Sequence, residues 1–190
     1  PNLFTKIDRK IYEKKFRYAC KNSDKIVAVS NQTKKDIINF FDVEEKKIEV
    51  IYQGCNKVFK SKRKSSEISE VKNKFNLFEN YLLYVGSIEE RKNLITLLHS
   101  LKDLQNKNLI IIGDGKNYKE KCIKYIKNNN LSKRVKILSN LNLHEISCIY
   151  QKADIMIYPS IFEGFGIPIL EALNSKIPVI TSKGGCFHEV

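Results

Sequence analysis

The chain has 190 residues, 42% of them hydrophobic, and carries 34 Lys and Arg against 21 Asp and Glu, a formal net charge of +13. That length suits one generous domain or one domain with part of another, and the apolar share is ordinary for a protein with a buried core. The positive charge is mostly Lys scattered along the chain, which speaks for solvated helix faces and against a nucleic-acid-binding stripe.

From Lys6 to Lys21 the residues Ile7, Ile11, Tyr12, Phe16 and Ala19 recur at helical spacing, with a basic opposite face. Such a helix can lie on an anionic membrane surface, or simply pack on its own domain. Ile26-Val-Ala-Val29 reads as a short buried strand, and Ser30 or Asn31 can cap a helix from Thr33 to Phe41. Ile48 to Tyr52 reads as a second strand, closed by Gly54. The Lys-, Ser- and Asn-rich stretch from Asn56 to Ser66, with its run Lys60-Ser-Lys-Arg-Lys64, reads as a basic linker that divides the chain into residues 1–57 and 58–190.

Beyond it the pattern turns regular. Helices are predicted near 67–76, 92–104, 118–127, 143–151 and 168–173, alternating with strands at 81–85, 109–112, 135–138, 155–158 and 178–181. Short all-apolar strands between helices imply an α/β fold with a doubly wound, Rossmann-like parallel sheet covered on both faces. Ligands of such sheets bind beyond the carboxyl ends of the strands, so the residues just after each strand are the candidates.

After the first of these strands comes Gly86-Ser-Ile-Glu-Glu-Arg-Lys-Asn93. Gly86 permits a tight turn and a close approach. Arg91 and Lys92 fall at the start of the predicted helix, where cations face the positive end of the dipole; either an anion such as a diphosphate compensates them, or Glu89 and Glu90 do. Gly113-Asp-Gly115 follows the second strand and is either part of a phosphate site or a tight turn. It is not a dinucleotide fingerprint, because Tyr118 stands where the third glycine belongs, and this disfavours a dehydrogenase or epimerase. After the fourth strand comes Glu163-Gly-Phe-Gly-Ile-Pro-Ile-Leu-Glu171. Its glycines free backbone N–H groups to wrap a ligand, Pro168 suits a first helical turn, and two carboxylates flank the loop. Glu171, placed in the first turn, could merely balance the dipole, and Glu163 could be a surface residue. Together with the glycines and Pro168 they read better as acceptors for sugar and ribose hydroxyls.

Five cysteines (Cys20, Cys55, Cys122, Cys148, Cys186) form no C-x-x-C pair and no metal-like spacing with His99, His144 and His188. Unclustered thiols suit a reducing cytoplasm. No apolar run reaches the roughly 20 residues that span a bilayer, and the first residues lack a signal peptide's apolar core. Opening on Pro1 and stopping at Val190, the sequence reads as part of a longer protein.

These motifs resemble the family-four (group 1) glycosyltransferases, retaining enzymes of GT-B fold with two Rossmann-like domains. The resemblance rests on 86–94, 113–115, Ala153-Asp154, Pro159-Ser160, the 163–172 segment, 178–182 and Glu189, while 28–33 and 50–54 resemble the end of the family's first domain. It implies that Arg91 and Lys92 meet the diphosphate of a nucleotide-sugar donor and stabilise the leaving group. Glu163 would hold the transferred sugar and Glu171 the ribose. Gly86, Ser87 and the backbone of Gly164, Phe165, Gly166 and Ile167 would line the sugar and phosphates, and Ser139, Asn140 and Leu141 would read the base. No metal or other cofactor is implied. The implied acceptor is a saccharide or lipid-linked saccharide of the cell surface, with the basic face resting on anionic membrane and no nucleic-acid partner. Glu90 replaces a common Pro and Asn140 a common Gly. The family's acceptor-side domain is represented only by its last elements, so transfer would belong to the full-length protein and not to this segment alone. A non-catalytic nucleotide- or anion-binding module is the alternative; it need not keep both cations and both carboxylates, which this sequence has.

Overall fold

The computed structural model describes residues 5–190. The chain forms two compact units, one running to Gln53 and taking in residues 163–166 and 184–190, the other holding 54–162 and 167–183.

In the first unit, α1 (Lys6–Asn22) starts on a capping box in which the Thr5 hydroxyl accepts from the Asp8 N–H and the Asp8 carboxylate accepts from the Thr5 N–H. β1 (Ile26–Ala28) leads into α2 (Asn31–Phe41), capped by Ser30, whose hydroxyl accepts from the Thr33 N–H at 3.0 Å. β2 (Ile48–Val50) then pairs parallel with β1, Ile26 opposite Ile48. Cys20, Ala28, Val43 and Ile48 form its core. Periodicity gives α1 correctly but not what its apolar face meets: Cys20 is the one buried residue, while Ile7 is 71% and Phe16 56% exposed.

The second unit follows the alternation in the sequence. Its helices are α3 (Ser65–Phe75), α4 (Leu94–Asp103), α5 (Asn117–Asn128), α6 (Leu143–Lys152) and α7 (Ile167–Asn174). Its strands are β3 (Leu82–Val85), β4 (Leu109–Ile112), β5 (Val135–Leu138), β6 (Ile155–Tyr158) and β7 (Val179–Thr181). All strands pair parallel in the order β5-β4-β3-β6-β7. The run Leu109–Ile112 is buried throughout because helices cover both faces of the sheet. Leu94, Leu97, Leu98 and Leu101 of α4 pack on one face with Cys122 and Ile126 of α5, each full burial worth about 1.5–3 kcal/mol for a leucine-sized side chain. Buried Tyr81 keeps its hydroxyl satisfied by donating to the Ile149 carbonyl at 2.7 Å.

Two boundaries differ from the sequence reading. Arg91 and Lys92 do not begin α4: they lie in a 3-10 turn, Glu90–Lys92, and Asn93 in left-handed conformation (φ 56°) separates them from the helix. Glu171 is not in a first turn, since α7 already starts at Ile167. Dipole arguments therefore explain neither position, because the macrodipole acts within a helix's terminal turn.

Candidate active site

The strand order reverses between β3 and β6, and in open α/β sheets such a switch point, at the carboxyl ends of the strands, is where ligands bind. The chain after β3 supplies Gly86, Ser87, Arg91 and Lys92. Gly86 has φ of 150°, a value side chains rarely adopt, and the aliphatic part of Lys92 passes 3.8 Å from where a Cβ would stand. Lys92 is buried, 7% exposed, and its Nζ donates to the Tyr158 hydroxyl at 2.8 Å. Burying an ammonium is costly unless it is paired and hydrogen-bonded, and Tyr158 at the end of β6 is part of what holds this cation in place.

Arg91 ties the two loops together. Its carbonyl accepts from the Ile161 N–H at 2.8 Å and the Ser160 hydroxyl at 3.1 Å, and its Nη1 donates to the Phe162 carbonyl at 3.0 Å. Glu89 pairs with Arg91 at 2.8 Å and accepts from the Ser87 hydroxyl at 2.7 Å. Of the two acids that could balance the cations, Glu89 does so for Arg91. The pair is about a third exposed, a setting in which such pairs contribute little net energy.

Glu171, on the second turn of α7, meets Tyr150 of α6, whose hydroxyl donates to its Oε2 at 2.9 Å. Burial pushes the Glu171 carboxyl above its ordinary pKa, opposed by that hydrogen bond. Burial, then the neighbouring Glu171 charge, lift the Tyr150 phenol well above its usual value, so it stays a donor.

In the first unit, the loop 163–166 is held by its carbonyls. Ser30 and Thr33 hydroxyls donate to the Gly164 carbonyl at 2.6 and 3.0 Å. The Cys186 thiol lies 3.0 Å from the Phe165 carbonyl and 3.3 Å from that of Glu163. Burial raises that thiol's pKa to about 11, keeping it a neutral donor. Phe165 stacks on Tyr52 at 5.9 Å between ring centroids, and Gly166 has φ of 106°. Glu163 is buried, 9% exposed, and not a surface residue.

Ser139, Asn140 and Leu141 follow the edge strand β5. Asn140 has φ of 58°, so it adopts the left-handed backbone that a glycine would supply, which Asn tolerates better than most residues. Gly113 and Gly115 have a packing role: a Cβ on Gly113 would lie 2.0 Å from the Gly86 carbonyl oxygen, and one on Gly115 2.2 Å from that of Ile88. The backbone of β4's loop must pass against the backbone of β3's loop. Tyr150, Tyr158, Thr33 and Cys186, and the second role of the capping Ser30, escape a reading of the sequence. The signal for the tyrosines is a phenol where a buried helix face or strand end otherwise wants an aliphatic residue, since buried Tyr generally seeks a polar partner.

Residues 65–190 match the family described as glycosyl transferases group 1, and residues 2–57 match Glycosyltransferase Family 4. The O-antigen chain mannosyltransferase RfbU of Salmonella typhimurium is 34% identical over 187 residues, covering 96% of this chain and 49% of the relative. An uncharacterized glycosyltransferase of Methanocaldococcus jannaschii is 32% identical over 92% of this chain and 44% of its own. Among solved structures, Anabaena HepE in complex with UDP and glucose superposes with a TM-score of 0.83 at 21% identity, over 96% of this chain and 51% of that one. The chain belongs to the group 1 glycosyltransferases. It has their parallel-sheet α/β fold and spans about half the length of the curated relatives it matches.

Proposed function

We propose that this chain carries the nucleotide-sugar half of a glycosyltransferase that moves a sugar to a saccharide or lipid-linked acceptor with retention of configuration, in cell-surface polysaccharide or glycolipid synthesis. The observation that carries the reading is the meeting of Arg91 with the 160–162 loop and of Lys92 with Tyr158, where the strand order reverses. Two cations fixed there suit a diphosphate whose negative charge grows as the glycosidic bond breaks. In this reading Arg91 and Lys92 stabilise the leaving group, and Glu163 accepts from the hydroxyls of the transferred sugar. Glu171, oriented by Tyr150, accepts from the ribose. Gly86 and Ser87 let the phosphates approach, the N–H groups of Gly164 to Ile167 face the sugar, and the turn Ser139–Leu141 reads the base. The fixed cations supply the charge stabilisation that a metal provides in other transferases, so turnover is expected to withstand chelation.

Relatives named mannosyltransferases put a mannosyl donor first among the candidates; UDP-, GDP- and ADP-linked sugars are the classes to compare. The net charge of +13 suits work at the cytoplasmic face of an anionic membrane; among the described residues no helix is long and apolar enough to cross one. Replacing Glu171 by Ala in the full-length protein should weaken nucleotide binding roughly tenfold or more, about 1.4 kcal/mol. Unchanged affinity in a folded Glu171→Ala protein removes Glu171 from the ribose.

A further inference from the structure

At the opposite end of the same sheet, before β6 and β7, the second unit holds a cavity of about 480 Å3 that the donor-side residues do not use. Its size is within the usual range for small-molecule sites. Lys60, Lys62 and Lys176 line it, with Asp154 as the single acid. Elsewhere in this unit lysines find carboxylates: Lys72 and Lys152 both reach Glu79, and Lys74 reaches Glu145. No ion pair among the described residues involves Lys60, Lys62, Lys176 or Asp154. Three lysines against one acid give the cavity an excess of positive charge that a bound anion would offset.

The surroundings are built rather than incidental. The Gln151 side chain donates to the Ser61 carbonyl and accepts from the Arg63 N–H, both at 2.8 Å, which fixes the segment that carries Lys60 and Lys62. Lys176 follows α7 with φ of 62°, a position where glycine is the usual choice. That conformation caps α7, the Lys176 and Ile177 N–H groups donating to the Leu173 and Ala172 carbonyls at 3.0 and 3.2 Å, and the cap sets Lys176 at the cavity. Ser175, 6% exposed, also lines the cavity, and its hydroxyl is the one buried side-chain polar atom without a hydrogen-bond partner among the described residues. A buried hydroxyl left unsatisfied is unfavourable, and a ligand oxygen would satisfy it.

We propose that this cavity is a second ligand site that takes a small phosphorylated sugar, with the phosphate on Lys60, Lys62 and Lys176 and sugar hydroxyls on Asp154 and Ser175. The site stands whether or not the donor-site reading does. The test is calorimetric titration of the full-length protein with glucose 1-phosphate and with inorganic phosphate. Both should bind, glucose 1-phosphate more tightly, because only it offers hydroxyls to Asp154 and Ser175. The double substitution Lys60→Ser with Lys176→Gly should weaken both roughly tenfold or more, without lowering Tm, since the second change relaxes a left-handed backbone position. Lys92→Ala, or Glu171→Ala if the former unfolds, should leave glucose 1-phosphate binding unchanged. Absence of binding to the wild type, equal binding by the double variant, or loss through Lys92→Ala alone would overturn the proposal. So would binding confined to phosphatidylcholine vesicles containing phosphatidic acid, which would make the ligand a lipid headgroup.

Discussion

At the scale of single residues, the groups proposed to meet the donor owe their chemistry to neighbours more than to their own identity. Glu171 is a carboxylate whose pKa is raised by burial and which one phenol orients. A raised pKa means that the folded protein takes up its proton at a higher pH than the unfolded chain does. Glu171 therefore destabilises the fold as pH rises through that range, and it is at its least ionised on the acid side. If it accepts from ribose hydroxyls, affinity for an intact nucleotide sugar, whose diphosphate diester does not titrate there, should fall as pH is lowered, with a midpoint above the ordinary carboxylate value of 4.5. The Glu171→Gln protein should show a flatter profile; identical profiles would assign the acid limb to another group. The places of Glu163, Glu171, Arg91 and Lys92 after strands are legible in the sequence, and their roles rest on the proposed function. The partners Tyr150 and Tyr158 are not legible, because a tyrosine in a buried stretch looks like any other core residue until its hydroxyl is seen to face a charge.

At the scale of elements, the helices and strands fall within a few residues of where periodicity puts them, since short apolar strands between amphipathic helices leave little choice of pairing. What periodicity does not supply is the fine structure of the connections. The 3-10 turn at Glu90–Lys92 and the left-handed Asn93 end one helical reading and begin another. The Gly113-Asp-Gly115 turn, a weak phosphate signal in sequence, is a place where two backbones nearly touch. Gly113→Ala should therefore destabilise the protein by about 3 kcal/mol or more, at the upper end of overpacking costs because the obstacle is backbone. A denaturation midpoint within error of wild type would refute the close approach. Glu189 shows a similar device in the first unit. Its carboxylate accepts from the N–H groups of Asn31 and Gln32 at 2.7 and 3.0 Å, at the start of α2, and from the Tyr52 hydroxyl. Burial alone would raise its pKa, but these hydrogen bonds together hold it below the usual range. Its contribution is thus present above the ordinary carboxylate value of 4.5 and lost as pH falls through the lower folded value. Glu189→Gln should remove that part of the acid sensitivity and lower Tm at neutral pH; an unchanged melting profile would show that the cap contributes nothing.

For the whole molecule, the charge of +13 is spread over solvated faces, and a cavity lined by Lys60, Lys62 and Lys176, none of them in an ion pair among the described residues, lies at the far end of the sheet from the proposed donor side. In sequence, Lys60 to Lys64 reads as a linker because a run of charge says nothing of what Gln151 and Lys176 bring to it from elsewhere in the chain. The chain spans about half the length of the curated relatives it matches, and in the proposed function the acceptor and the reaction are assigned to the full-length protein. The most direct test is to incubate the full-length protein with a panel of UDP-, GDP- and ADP-sugars and follow release of the nucleoside diphosphate, beside its Lys92→Ala counterpart. One sugar class should be turned over, by transfer or slow hydrolysis, and the folded Lys92→Ala protein should lose at least about a hundredfold in rate, as when one preorganised donor to developing charge is removed. Release of no nucleotide from any member of the panel, or equal rates in the two proteins, would contradict the account.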